Sequence, residues 1–362
     1  MTIITNVTAR EVLDSRGNPT VECVLETTDF QVSAMVPSGA STGKFEALEL
    51  RDHKKEFQGM GVKKAVKNID TVISKKLVGR NVFEQKQLDN LMIKLDGTKN
   101  KKKLGANAIL PVSLAFSRAA AFSLNKPLYK YLAVLSDNFK PRMPTPLFNL
   151  INGGKHASSD LAFQEFHLIP EKFKTFKEKL RVGSEVYHQL KLDLIKKYGK
   201  SAGNIGDEGG FVPPIVDNHA PIEMILNAAR ELGYEDEISL GLDVAANSFF
   251  IKGSYHLKNH RLNAGQLIDY YKDLTRTFPI TLIEDPLNET DFSHWKELRK
   301  SLPKRVTIVG DDLLVTNTER IKKAINLKAC DGLLLKVNQV GTLTEALEAF
   351  RLARKHDWKI IV

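Results

Sequence analysis

The sequence predicts an α/β protein in two unequal parts: a smaller N-terminal α+β domain over residues 1–140, then a parallel sheet alternating with helices over residues 141–362. Three observations predict it. β-formers dominate the first forty positions, and a proline cluster, Pro141-Arg142-Met143-Pro144-Thr145-Pro146, then interrupts the chain. Beyond the cluster, short apolar runs alternate with amphipathic stretches.

Taken in order, Thr20 to Glu26 and Phe30 to Val36 read as antiparallel strands, with Thr27-Thr28-Asp29 as the turn between them. Helical periodicity follows from about Gly61 to Leu135. Three prolines in six residues suit neither a helix nor a central strand, which places the boundary at 140/141. Past it, Ile238–Leu242, Ile280–Ile283, Val306–Val309 and Gly332–Leu335 are short apolar runs of the buried parallel kind. A helix is expected from Leu343, with Ala346, Leu347, Phe350 and Ala353 on one face. Thr342 and Glu345, three residues apart, have the spacing of a capping box.

Composition narrows the class. A 362-residue chain with 42% hydrophobic and 27% charged residues is ordinary for a globular protein with a sizeable core. Cys23 and Cys330 are the two cysteines, too few for a disulfide framework or a cysteine zinc site, and they fit a reducing, cytoplasmic setting. The first residues show no basic leader followed by an apolar run. The longest apolar stretch, Leu104 to Phe122, contains Asn107, Pro111 and Arg118, and reads as a buried helix, not a membrane insertion. The net charge of +10 gathers in lysine clusters such as Lys99 to Lys103, with no interleaved aromatics; solvated faces are expected there, not a nucleic-acid groove.

A charged residue follows each parallel run: Asp243, Glu284, Asp311 and Lys336, separated by 41, 27 and 25 residues. Each interval suits one strand-plus-helix unit. Each acid alone is as readily a loop residue capping the next helix. In a parallel α/β barrel, however, successive strand ends point to one face, so the four side chains would converge there. Three converging carboxylates repel one another unless a cation sits among them, and an all-oxygen set suits magnesium. Lys336, after three leucines, reads as a lysine made neutral by nearby metal charge and so a general base.

At this point the motifs, in order, resemble the enolase family. They are Ser38-Gly39-Ala40-Ser41-Thr42-Gly43, Leu104-Gly105-Ala106-Asn107-Ala108-Ile109-Leu110, Asn152-Gly153-Gly154-Lys155-His156-Ala157 and Gln164-Glu165-Phe166. Gly206-Asp207-Glu208-Gly209-Gly210-Phe211, Ile283-Glu284-Asp285-Pro286, Gly310-Asp311-Asp312-Leu313 and the run Leu335 to Glu345 complete the series. The Gly39-to-Gly43 loop is not a Walker loop, because its glycines are too close and Phe45 follows Lys44.

The resemblance implies an N-terminal α+β domain followed by an enolase-type (β/α)8 barrel whose first two strands run ββ, and a lyase of glycolysis and gluconeogenesis. The expected reaction is magnesium-dependent, reversible dehydration of 2-phosphoglycerate to phosphoenolpyruvate, in a homodimer. By match, Asp243, Glu284 and Asp311 are the expected ligands of a tight Mg2+, and Ser41, in a mobile loop, reaches a second Mg2+. Lys336 is the expected base at C2, Glu208 the acid at the C3 hydroxyl with Glu165 beside it, and Gln164, Glu165 and His156 line the substrate pocket. The chemistry explains the residue types. Losing a proton beside a carboxylate piles up negative charge, which metal ions stabilise as Lewis acids. Two neighbouring carboxyls raise one another's pKa and help one stay protonated.

The sequence also departs from the family pattern. Pro111 stands where the family usually has glycine inside a helix, at a cost of about 3 kcal/mol unless a kink is accommodated. His167 stands where methionine is usual. The family's Ser-His-Arg-Ser-Gly and Lys-Thr-Gly segments do not occur before Val362, so the resemblance implies a barrel here missing its last strand or strands. Such a chain is expected to be inactive and aggregation-prone alone, and its reading frame to continue past codon 362. Two readings follow: a catalytic enolase, or a non-catalytic enolase-like binding or structural protein. The converging carboxylates favour the first.

Overall fold

A computed structural model describes residues 1–37, 39, 43–157, 160–257 and 260–362, except the side chain of His156. Ten residues of mostly alternating burial form β1 (Ile4–Leu13), which pairs antiparallel with β2 (Pro19–Thr27). β2 pairs in turn with β3 (Gln31–Met35), so it is the central strand and is buried on both faces. The β2 and β3 spans match the sequence expectation; β1 was missed as a defined strand. Asp14 Oδ1 fixes the first turn by accepting from the amides of Arg16 and Asn18, both at 2.9 Å.

The helical periodicity expected to Leu135 is carried by five helices: α1 (Lys63–Asn68), α2 (Ser74–Leu77), α3 (Gln85–Asp96), α4 (Ala106–Ser123) and α5 (Leu128–Leu135). A π-helical turn, Ile69–Ile73, joins the first two. α4 is apolar almost all round and packs on β2 and β3. The helix runs through Pro111, which is fully enclosed. Asn107 pins the incoming segment to α4: its Oδ1 accepts from Leu50 N at 2.9 Å and its Nδ2 donates to Leu50 O at 3.1 Å.

No helix or strand occupies residues 136–147, and the second sheet starts after them. β4 (Phe148–Asn152) and β5 (Glu165–Ile169) pair antiparallel, as the ββ start implied by the resemblance requires. β5 is also antiparallel to β6 (Ser239–Asp243). A small meander follows, β7 (Phe250–Ile251), β8 (Ser254–Leu257) and β9 (His260–Leu262), which the sequence did not announce. β10 (Ile280–Glu284), β11 (Thr307–Gly310), β12 (Gly332–Leu334) and β13 (Lys359–Ile361) then add in parallel beside β6. β6, β10, β11 and β12 each lie within a residue of their expected positions.

The intervening helices are α6 (Phe176–Tyr198), α7 (His219–Glu231), α8 (Ala264–Thr277), α9 (Phe292–Ser301), α10 (Thr318–Leu327), the single turn α11 (Val337–Val340) and α12 (Leu343–Lys355). Thr342 caps α12 by accepting from Glu345 N at 3.2 Å. The reciprocal half of the box is absent, because Glu345 instead takes the Thr342 hydroxyl and the Lys101 ammonium. Leu343, Ala346, Ala349 and Ala353 form its buried stripe, while Leu347 and Phe350 are half-buried.

The seven-stranded sheet, ordered β13-β12-β11-β10-β6-β5-β4, is curled. Leu147, just before one edge, and Ile361, in the other, pack into one cluster with Ile169, Leu282, Val309 and Leu334, which a flat sheet forbids. The outer face carries the larger core, against the helices. Among the described residues no single helix is long and apolar enough to cross a membrane; α4 and α5 qualify only as a pair bent by 109°.

Candidate active site

Strand direction decides which residues reach the mouth of the curled sheet. β6 and β10 deliver their last residues, Asp243 and Glu284, which are register partners. β5 runs the other way, so its first residue, Glu165, lies opposite Asp243. Asp311 follows β11, and Lys336 lies two residues beyond Leu334 of β12. Together with Gln164, His167 and Glu208 these side chains line one cleft of about 400 Å³. A larger recess, about 550 Å³, is lined by Tyr198, Ile215, Leu257 and Tyr270 but holds none of the expected site residues. Chemistry, not size, selects the smaller one.

Hydrogen bonds fix the acids. Asp243 Oδ2 accepts from Gln164 Nε2 at 2.8 Å and its Oδ1 from Ala245 N at 3.0 Å. Asp311 Oδ2 is 2.6 Å from Lys336 Nζ, and its Oδ1 accepts from Gln339 Nε2 at 2.6 Å. Gln339 is itself held by the Thr316 hydroxyl at 3.0 Å. Asp285, with positive φ directly after β10, accepts from the amides of Asp311 (2.9 Å) and Asp312 (2.7 Å) and so sets the turn that presents them. Ala245, Asp285, Val315 and Thr316 all take positive φ just past these strand ends, a local concentration of strain at the cleft face.

The electrostatics follow from crowding. Burial, then Glu165 and Asp311, push Asp243 up to about 7. Burial, then Asp243 and Asp311, hold Glu284 well above the usual carboxylate range. Burial alone would lower Lys336, but Asp311, Glu284 and Asp243 outweigh it and leave its pKa raised. The neutral lysine expected from sequence was argued from nearby metal charge, which these protein groups alone do not supply. Surrounding carboxylates favour the ammonium, and a neutral lysine needs positive charge to offset them.

Glu208 sits in a tight turn strapped to β4. Gly206 N donates to Gly210 O at 2.8 Å, Gly210 N to Asn152 Oδ1 at 2.9 Å, and Asn149 Nδ2 to Glu208 O at 3.4 Å. A Cβ on Gly210 would come within 2.9 Å of the Ile151 carbonyl carbon, so glycine is required for this approach. Residues 43–47 are held locally: Gly43 N donates to Glu46 Oε1 at 2.6 Å and Ala47 N to Gln339 O at 2.8 Å.

The structure thus brings together Asp243, Glu284, Asp311, Lys336, Glu165, Gln164 and Glu208. Ser41 and the His156 side chain lie outside the described residues. Among the described residues, the carboxylate oxygens found mutually within 4.8 Å are those of Asp285, Asp311 and Asp312, a different trio from the expected one. Asp285 spends both oxygens on backbone amides, so it reads as the support of the other two. Asp285, Asp312, Gln339 and His167 were given no site role from sequence. For Asp285 and Asp312 the signal was adjacency to strand-end charges, and for His167 its spacing from Glu165 on one strand face; Gln339 had none.

Comparison with known proteins agrees with this geometry. Residues 4–132 match the family model described as "Enolase, N-terminal domain", and residues 140–362 that described as "Enolase, C-terminal TIM barrel domain". The enolase of Methanocaldococcus jannaschii is 48% identical over 360 residues, covering 99% of this chain and 84% of the relative. That of Methanothrix thermoacetophila is 50% identical over 359 residues, with the same coverage. The chain belongs to the enolase family and is an enzyme of the lyase class.

Proposed function

We propose that the strand-end cleft carries out the magnesium-dependent, reversible dehydration of 2-phosphoglycerate to phosphoenolpyruvate, with residues 1–140 covering a barrel formed from residue 141 onward. One observation carries this reading: Asp243, Glu284 and Asp311 crowd a single cleft that also holds Lys336. The donor set fits magnesium, being all carboxylate oxygen and destabilised by mutual repulsion that a divalent cation relieves. Bound by these three acids, with Ser41 serving a second ion, magnesium would act as a Lewis acid on the substrate carboxylate and offset the charge gained there.

The chain's own residues do the rest. Lys336 Nζ takes the proton from C2, and the ammonium so formed is favoured by Asp311 at 2.6 Å and by Glu284. Glu208 gives a proton to the departing C3 hydroxyl from a turn held against β4. Gln164, already bonded to Asp243, and His156 help seat the substrate beside Glu165. A non-catalytic role would leave the cost of burying Asp243 beside Glu284 without a purpose. Free, buried Cys23 and Cys330 fit a reducing cytoplasm, and the homodimer is carried over from the family resemblance.

The test is isotopic. Lys336→Ala should lose exchange of the C2 proton with solvent and dehydration alike, by about 10²–10⁴-fold. Glu208→Gln should keep exchange while losing dehydration. Equal loss of both processes in both variants would contradict the two roles.

A further inference from the structure

Arg320 stands in the first turn of α10, where the helix dipole disfavours a cation. Its guanidinium is nevertheless held there by carbonyls of two successive strand-to-helix connections: Nε donates to Leu313 O and Nη2 to Glu289 O, both at 2.6 Å. Such bonds lie in the guanidinium plane and leave its face free to stack. Phe45, from the N-terminal part, covers that face, with the guanidinium carbon 4.0 Å from the ring centroid. The ring is 40% exposed, too open for core packing to fix it. The backbone on either side is tied to the same barrel loops. Lys44 N donates to the Glu289 carboxyl, and Ala47 N to Gln339 O at 2.8 Å. Gly43 lies so close to the turn after β11 that a Cβ would come 2.7 Å from Asp312 Oδ1 and 3.2 Å from Val315 Cγ1.

We propose that Arg320 is a positioning residue: by clamping Phe45 it fixes the wall that the N-terminal part gives the cleft. The inference rests on the reading of that cleft as the site for 2-phosphoglycerate. Pro37 and Gly39 belong to the wall. Three residues separate Gly39 from Gly43, a span of at most about 14 Å, so the anchor bounds where the wall can stand. Without the clamp, the substrate would have to order this segment itself, which weakens binding; with it, the wall is in place before substrate arrives. Arg320 does not line the cleft, so it acts through Phe45 and not on the substrate. Lysine could not replace it, because an ammonium has neither a flat face nor a fork that spans both carbonyls.

Steady-state kinetics and hydrogen exchange test it. In Phe45→Ala, KM for 2-phosphoglycerate should rise about 3- to 30-fold, the range of a cation–π contact, while kcat stays within about threefold. Phe45→Tyr, which keeps the ring, should hold KM within about twofold of the parent. Arg320→Lys should act like Phe45→Ala, and the double variant should be no worse than the worse single one. Exchange measured without substrate reads the clamp directly: the Ala47 amide should exchange about 3- to 30-fold faster in Phe45→Ala. That readout needs no turnover and stands even if the cleft takes another substrate. A lower kcat at unchanged KM, which a merely structural loss would give, would overturn the inference. So would a Phe45→Tyr no better than Phe45→Ala, additive losses in the double variant, or Ala47 protection indifferent to the ring.

Discussion

Asp96 and Asp243 are buried almost alike, 2% and 6% exposed, yet their surroundings drive them in opposite directions. Asp96 closes α3 in the N-terminal part and is met by donors: the amides of Leu104 at 2.7 Å, Thr98 at 2.9 Å and Lys103 at 3.0 Å, and the Thr98 hydroxyl. Burial would raise it, but these bonds hold its pKa below the ordinary value of 3.8. Asp243 has two donors and faces other acids, and it is pushed up to about 7. A carboxylate that serves the scaffold is surrounded by N–H groups, while one that serves chemistry is left short of them. The deficit in the second case is the capacity to hold a cation.

The contrast breaks most sharply at Glu284. Glu284→Gln should lower kcat/KM by at least about 100-fold, because one oxygen ligand and its charge are gone. The cation-free variant should melt no lower than the parent, since a repelling charge has been removed; a clearly lower melting temperature would mean that Glu284 serves the scaffold as Asp96 does. Next in size is the cation itself. Magnesium at a hundred times its dissociation constant should stabilise the parent by about 2.7 kcal/mol, and Glu284→Gln should not respond. Calorimetric melts indifferent to magnesium in the parent would break the comparison.

Asp96→Ala gives the smaller effect from the scaffold side, about 1–3 kcal/mol for buried amides left without an acceptor. Its pH dependence has a definite sign. A folded pKa below 3.8 makes the Asp96 contribution fully present above that value and lost as pH falls through the lower folded one. Denaturant melts of parent and variant should therefore differ at neutral pH and converge in acid. A gap that widened on acidification would show that Asp96 is not held as an anion.

Much of this was legible in the chain before folding. The positions of β6, β10, β11 and β12 followed from apolar runs, and the charges after them identified the mouth of the sheet, because strand direction alone converts sequence order into convergence. The turn chemistry of Thr342 was legible for the same local reason, although only half of its capping box formed: Lys101, more than two hundred residues away, competes for Glu345. What stayed hidden was set by tertiary contact. Asp285 looks like a site acid until its oxygens are seen on the amides of Asp311 and Asp312. Gln339 reaches Asp311 only because α11 turns back over the sheet, and no periodicity reports that. The β7–β9 meander is too short to stand out from loop sequence.

The polar seam between α3, α4 and the start of α12 has a consequence for the order of assembly. Asp89 Oδ2 accepts from the Thr344 amide at 3.0 Å and its hydroxyl at 2.5 Å, and Ser113 Oγ accepts from Leu343 N at 2.9 Å. These groups are separated by 230 to 255 residues, so closing them carries a large loop entropy unless one side is already rigid. A growing chain makes that side first. The N-terminal part should act as a template, waiting with its acceptors in place until residues 342–345 emerge and α12 can complete its first turn. Pulse-labelled hydrogen exchange during refolding would show it: protection at Thr344 should lag behind protection within α4, and the reverse order would assign the template to the barrel instead.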